Sequence, residues 1–377
     1  MPDPAARASA ADELTYDPAP AATQMLITLH MRDTDPAVRA RAAVAIENRR
    51  DTSLDAVLAQ SARRDPDPTV RAASAKSYER LHAWRKRPGT AAALSLLCPG
   101  CGHFYQGKSE GWAYLLSAGA LVGTGIGLIS GETVSLSGGS SSARAPIGLA
   151  LVTTGQNLWF YSIFDAYRDA RVARGDLGYR IPITRESLDY LVTAPFRPSA
   201  LKSPWVWAGV PAMLATGIAV SYLVARGDSS TSPPTIFDVD TVNVLGGDFS
   251  PGAGYALGNT YYAGLFASVG VGEEALFRGL IQTELEERWG IPGIAVSSLI
   301  FGALHVGNFG GDAKVTAIAI PTLSALGATM GFAYRNTGYK LAVPVAMHFW
   351  YDLLLSAAAF AYDPQNQPFV VGYASPL

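Results

Sequence analysis

Apolar runs long enough to cross a bilayer recur through the later part of this sequence, and they constrain everything else it can fold into. A spanning helix needs about 20 mostly apolar residues. Segments 111–130, 146–167 and 204–225 are of that kind, and 252–269, 291–309, 314–334 and 341–361 follow. Only 16% of the residues are charged, against ~25% in soluble proteins. The expected fold is therefore all-α, a multispan helical membrane protein. A formal net charge of -2 gives no electrostatic footprint for nucleic acid. The opening M-P-D-P-A-A-R carries no apolar signal-peptide core, so the first membrane segment is expected to act as the targeting signal.

The front of the chain reads differently. Residues 1–21 are rich in Ala, Pro and Asp and are expected to be disordered. Within 22–88, Asp35-Pro36-Ala37-Val38-Arg39 recurs as Asp67-Pro68-Thr69-Val70-Arg71, 32 residues later. Each Asp can cap a helix whose first residue is Pro, where the missing N–H does no harm. Apolar residues follow at helical spacing, Val38, Ala42, Ala45 and Ile46 against Val70, Ala73 and Tyr78. Two such units resemble HEAT-like helical repeats, which stack into surfaces for a protein partner; the plain alternative is a small helical domain. Arg80, Arg85, Lys86 and Arg87 precede the first membrane segment and place this region in the cytoplasm.

Residues 89–170 hold two crossings, joined by the polar run S-G-E-T-V-S-L-S-G-G-S-S-S-A-R and followed by an Arg-rich stretch. The only cysteines, Cys98 and Cys101, are too few for a zinc ribbon. A Pro-Gly turn is favoured there over a redox role, and no disulfide framework is expected. P-G-C-G-H-F-Y-Q-G-K with the later Y-S-I-F-D-A-Y-R is similar to the paired-helix TM2 membrane modules, which implies an accessory unit. His103 is read as an interfacial residue; the apolar run 91–101 is too short to span, and 91–106 is read as lying at the interface or re-entering. A basic cytoplasmic linker, 171–203, carries Arg185, Arg197 and Lys202. Beyond it a membrane domain covers 204–362, with a tail at 363–377. The acidic loop 226–250 is expected outside, and a turn with Arg335 and Lys340 inside.

Within that domain Glu273 and Glu274 interrupt apolar sequence, and a charge near the bilayer centre costs about 2.5–3.5 kcal/mol. On a helix Glu274 and Arg278 are i,i+4 neighbours, while Glu273 points roughly 100° away and is left to act as a base. Phe301 and His305 share the next such spacing, with the ring walling a pocket for the imidazole. His348 and Asp352 share the last.

E-E-A-L-F-R, F-G-A-L-H and H-F-W-Y-D, in order on successive apolar segments, resemble the CAAX-protease and bacteriocin-processing (CPBP, also ABI) intramembrane glutamic endopeptidases. The resemblance implies a metal- and cofactor-independent protease in a multipass protein of a bacterial cytoplasmic membrane, N-terminus inside. Its partners would be the bilayer and a membrane-associated protein or peptide substrate. By the same resemblance Glu273 and His305 activate water, Glu274 and Arg278 order that base, and His348 with residue 352 stabilises the oxyanion. Prenyl-protein processing members tend to have Asn where this chain has Asp352. Two other readings remain at this stage. One is a zinc-dependent membrane hydrolase using the same His and Glu residues. The other is a non-catalytic scaffold or bacteriocin-immunity-type protein of the same fold.

Overall fold

The computed structural model describes residues 3–83, 86–132, 142–174, 186–225, 233–306 and 313–365. Arg85, most of the polar run between the first two crossings, Arg185, Asp228 and the tail from 366 lie outside the described residues. The chain divides into two compact units.

The first unit is built on the helices α1 (Pro4–Leu14), α2 (Pro20–Arg32), α3 (Pro36–Asn48), α4 (Asp55–Arg64) and α5 (Pro68–Ala83). Asp35 accepts from the Ala37 N–H at 2.8 Å and Asp67 from the Thr69 N–H at 2.8 Å, as the Asp-Pro spacing predicts. The expected disorder of the first 21 residues is corrected. Asp3-Pro4 starts α1 with the same cap, Ala5 N–H to Asp3 at 3.3 Å, and Arg7 occupies the place of Arg39 and Arg71. The repeat therefore has three units. Arg7 pairs with Asp33 through bonds of 2.8 and 2.9 Å, and 32 residues on, Arg39 pairs with Asp65 at 2.9 and 2.9 Å. Bidentate geometry makes these forks stronger and more selective than ordinary surface pairs. Ala11 and Leu14 of α1 join Leu26, Ile46 and Leu58 in one apolar core.

His30 is fully buried, its Nδ1–H donating to the Arg39 carbonyl at 2.9 Å. Burial lowers its pKa from the ordinary 6.5. The hydrogen bond from Arg7 lowers Asp33, and that from Arg39 lowers Asp65. All three groups bind protons more readily when unfolded, so each contributes stability that falls with pH. The His30 contribution should begin to fade as pH drops below 6.5 and the aspartate contributions below 3.8, each being lost as pH passes the lowered folded value. Hydrogen exchange of the 22–46 amides, corrected for intrinsic rates, should show two losses of protection on acidification. A His30→Gln variant should keep only the lower one.

The second unit holds the long apolar helices. A short helix α6 (Pro88–Leu97) and α7 (Cys101–Tyr105) flank the expected turn. Cys101 N–H donates to the Cys98 carbonyl at 3.1 Å with Gly100 at φ +82, the pattern of a Pro-Gly type II turn. The two cysteines are joined by a disulfide across it, which the sequence reading did not expect. His103 is buried rather than interfacial: its Nε2–H donates to Asp165 at 3.1 Å, and Tyr114 donates to the same oxygen at 2.6 Å. These bonds tie α7 and α8 (Gly111–Ile129) to α9 (Arg144–Arg174).

Two short helices, α10 (Leu188–Val192) and α11 (Pro198–Leu201), lead into α12 (Pro204–Ala225). A two-stranded hairpin, β1 (Val242–Val244) and β2 (Gly247–Phe249), follows, its turn made by Leu245 and Gly246 at positive φ. Then come α13 (Pro251–Glu274), a π-helical segment (Ala275–Gln282), α14 (Thr283–Trp289), α15 (Ile291–Leu304), α16 (Ala313–Asn336) and α17 (Ala342–Tyr362). Among the described residues α8, α16 and α17 are long and apolar enough to cross a membrane. On α8, Trp112, Leu116 and Ile126 are exposed, as a lipid-facing helix requires. Val242 and Val244 of the hairpin pack against Tyr262 and Phe266 of α13 and Phe349 and Phe360 of α17.

Helix α17 lies at the centre, buried continuously from Ala342 to Phe349 and packed on α12, α13 and α16. Its exposed-donor end is capped from elsewhere in the chain. The Glu186 carboxylate accepts from the N–H groups of Leu341 at 2.6 Å and Ala342 at 3.1 Å. A carboxylate satisfies free amides and meets the positive end of the helix dipole. Glu186→Ala should therefore cost about 1–2 kcal/mol, read as a lower thermal midpoint of the purified protein. An unchanged midpoint would rule this cap out as a stabilising contact.

Candidate active site

Three helix ends and faces converge on one polar cluster in the second unit. Glu273 and Glu274 are the last residues of α13, and Arg278 lies in the π segment that continues it. Such i→i+5 segments are rare and concentrate at functional sites. Arg278 and Glu274 still meet, Nη1 donating to Oε1 at 2.9 Å, with both side chains almost wholly buried. The other arm of the guanidinium donates to the Gly327 carbonyl of α16 at 2.9 Å, and its face lies 4.6 Å from the Phe301 ring centre. A planar fork stacked on an aromatic ring is a role that lysine could not fill.

Helix α15 brings Phe301 and His305. The His305 ring lies 4.6 Å from that of Phe301 and donates Nδ1–H to the Phe301 carbonyl at 2.7 Å. That bond fixes the tautomer, so Nε2 is the free atom of the neutral ring. It stands 3.8 Å from Glu273 Oε2. Phe301 is more than a pocket wall: its ring contacts both His305 and Arg278.

From α17, His348 donates Nδ1–H to Glu274 Oε1 at 2.8 Å, while its Nε2 lies 3.3 Å from Asp352 and 3.9 Å from Glu273. Glu274 and Arg278 thus orient His348, where the sequence reading had them order Glu273. A carboxylate beside Nε2 would meet a lone pair there unless Nε2 also carries a proton, so the contact with Asp352 favours an N–H at that atom. Side-chain exposure separates front from back. Glu273, His305 and Asp352 keep 18%, 19% and 20%, while Glu274 keeps none. Among the described residues Glu273 Oε2 has no hydrogen-bond partner, which leaves it for a ligand or a reacting molecule.

The sequence reading missed how this stripe continues. Glu274, Arg278, Gln282 and Glu286 follow at four-residue steps. Arg278 bonds the Gly327 carbonyl, Gln282 bonds that of Gly331 at 3.0 Å, and Glu286 pairs with Arg335. Every rung joins residues 49 apart, so the π segment and α14 run parallel to α16 in fixed register. Gln282 also donates to Glu286 at 3.1 Å, and Tyr339 donates to Glu286 at 3.0 Å. The i+4 repetition was the available signal.

Residues 257–354 match the family described as Type II CAAX prenyl endopeptidase Rce1-like, and residues 1–79 match HEAT repeats. No curated protein and no solved structure gives a match. The site therefore lies within an Rce1-like CAAX prenyl endopeptidase domain, a domain of a protease family, carried in a membrane protein behind HEAT repeats. Every residue of the cluster, from Glu273 to Asp352, falls inside the matched stretch.

Proposed function

We propose that this chain is a multipass glutamic endopeptidase that cleaves membrane-associated protein substrates with a water activated by Glu273 and His305. The observation that carries the reading is the arrangement around Glu273 Oε2. It has no partner among the described residues, yet His305 Nε2 and His348 Nε2 face it at 3.8 and 3.9 Å. Those separations exceed direct hydrogen bonds and leave the three atoms to share a third group. In the proposed reaction Glu273 takes a proton from water as its oxygen attacks the peptide carbonyl, with His305 orienting that water. His348 Nε2–H donates to the oxyanion of the tetrahedral intermediate, and Glu273 then passes its proton to the departing amine. Glu274 and Arg278 hold His348 from behind, and Asp352 orients it from its other nitrogen.

The basic residues before the first crossing support an N-terminus on the cytoplasmic side. The HEAT repeats there offer a surface for a protein partner. Substrates follow from comparing membrane and secreted proteins of cells carrying the wild type or Glu273→Ala. Uncleaved precursors should accumulate in the variant; identical profiles at equal expression would overturn the reading.

One observation favours a second reading, a zinc hydrolase. The His305 ring presents Nε2 towards Glu273 while donating Nδ1–H to the Phe301 carbonyl, the orientation that metal-binding histidines use. Activity lost to a chelator and restored by zinc would select it, and activity indifferent to chelators would select the first.

A further inference from the structure

Helix α9, outside the matched protease stretch, runs beside the helix that carries the glutamates. Pro146 accepts from the Tyr261 hydroxyl at 3.0 Å, and the Thr154 and Ser268 hydroxyls lie 3.3 Å apart. Further along, Gly272 is pressed against Asn157 and Gly279 against Phe164. These pairs are separated in sequence by 115, 114, 115 and 115 residues. The near-constant offset means that two parallel helices keep one register from Tyr261 to Gly279. The two closest approaches, seven residues apart, fall beside the chemistry: Gly272 precedes Glu273, and Gly279 follows Arg278.

The approach leaves no room. A Cβ on Gly272 would lie 2.5 Å from both the backbone and the side-chain oxygens of Asn157, and one on Gly279 would lie 2.5 Å from the Phe164 ring. Backbones this close transmit displacement directly, because a packed interior has no slack to absorb it. Another face of α9 is fixed in turn. Asp165, next to Phe164, accepts from both His103 and Tyr114.

We infer that α9 is part of the catalytic machinery, with Asn157 and Phe164 as positioning residues that set where Glu273 and Arg278 stand. The inference rests on the proposed proteolysis and goes beyond it by assigning a function to residues 146–165. In place of an accessory module beside the protease, this helix is the rear wall of its active site.

The test uses the full-length protein reconstituted in vesicles, with a mixture of proteome-derived peptides as probe and cleavage read by mass spectrometry. Cleavages seen with the wild type and lost in Glu273→Gln define the activity. The fastest-cleaved peptide then gives kcat and KM. Gly279→Ala should lower kcat roughly 10²-fold, the loss associated with misplacing catalytic groups by about 1 Å, with KM changed less than about 3-fold. Trimming the ring that it strikes should relieve it, so Gly279→Ala with Phe164→Leu should recover most of kcat. Gly254→Ala overpacks the opposite end of α13, where a Cβ would strike Val242 of β1. It should lower the thermal midpoint as Gly279→Ala does but leave kcat near wild type. Wild-type kcat in Gly279→Ala, or equal kcat losses in Gly279→Ala and Gly254→Ala without rescue by Phe164→Leu, would overturn the inference. Retention of cleavage by Glu273→Gln would instead overturn the proteolytic reading beneath it.

Discussion

Glu273→Gln is expected to reduce peptide cleavage by about 10²–10⁴-fold, the range supplied by a positioned general base, while leaving insertion and thermal stability near wild type. Glutamine keeps the shape and one acceptor but cannot take a proton. The stability expectation follows from exposure: this side chain keeps 18% of its surface, and its Oε2 makes no hydrogen bond among the described residues. Little holds the fold there, so little is lost. His305→Ala should fall comparably in rate, because its Nε2 is the partner 3.8 Å from the base. Equal rates for wild type and Glu273→Gln in purified protein would remove Glu273 from the mechanism.

Arg278→Ala should act the other way round, as a loss of stability first and of activity in consequence. Its guanidinium donates to Glu274 and to the Gly327 carbonyl and stacks on Phe301, with 1% of the residue exposed. Removing one partner of a buried ion pair strands the other charge and costs about 3–5 kcal/mol. The thermal midpoint in detergent should fall sharply. Arg278→Lys should rescue only part of it, since an ammonium cannot make both bonds and stack. The informative companion is Glu274→Leu with Arg278→Met, which removes both charges. Stability should return towards wild type, because no charge is left unpaired. Activity should not, because His348 loses the acceptor of its Nδ1–H. A double variant that regained cleavage would show that Glu274 does nothing for His348.

The outline of this molecule was legible where information is local. Apolar length marked α8, α16 and α17 as helices able to cross a membrane, the Asp-Pro caps marked the starts of α3 and α5, and four-residue spacing paired Glu274 with Arg278. What was lost was lost for identifiable reasons. Alanine-rich composition concealed a first repeat unit whose Asp3, Pro4 and Arg7 stand 32 residues before their counterparts. Contacts between distant segments left no local trace. Nothing around Glu274 indicates that His348, 74 residues on, will share its carboxylate oxygen with Arg278. Glu186 likewise gives no hint from its surroundings that it caps a helix more than 150 residues away. Asp352 is the residue whose setting was hardest to anticipate, since a carboxylate beside an imidazole can orient, compete or donate. Its place 3.3 Å from Nε2 favours orientation.

The near-constant separations of 114–115 residues between α9 and α13, and of 49 along the Gln282 stripe, also determine where this chain can change length. Loops between paired helices can be lengthened at small cost, since closing a loop depends only weakly on its size. Within Tyr261–Glu286 there is no such freedom. One residue gained or lost turns everything beyond it by about 100°, taking Arg278, Gln282 and Glu286 away from their partners together. The π segment fits this constraint, for its wider turn offsets the drift of about 40° that each four-residue step accumulates on an α-helix. Natural variation in length should therefore collect in the loops and stop abruptly at these helices, outlining the catalytic core as a region of fixed count.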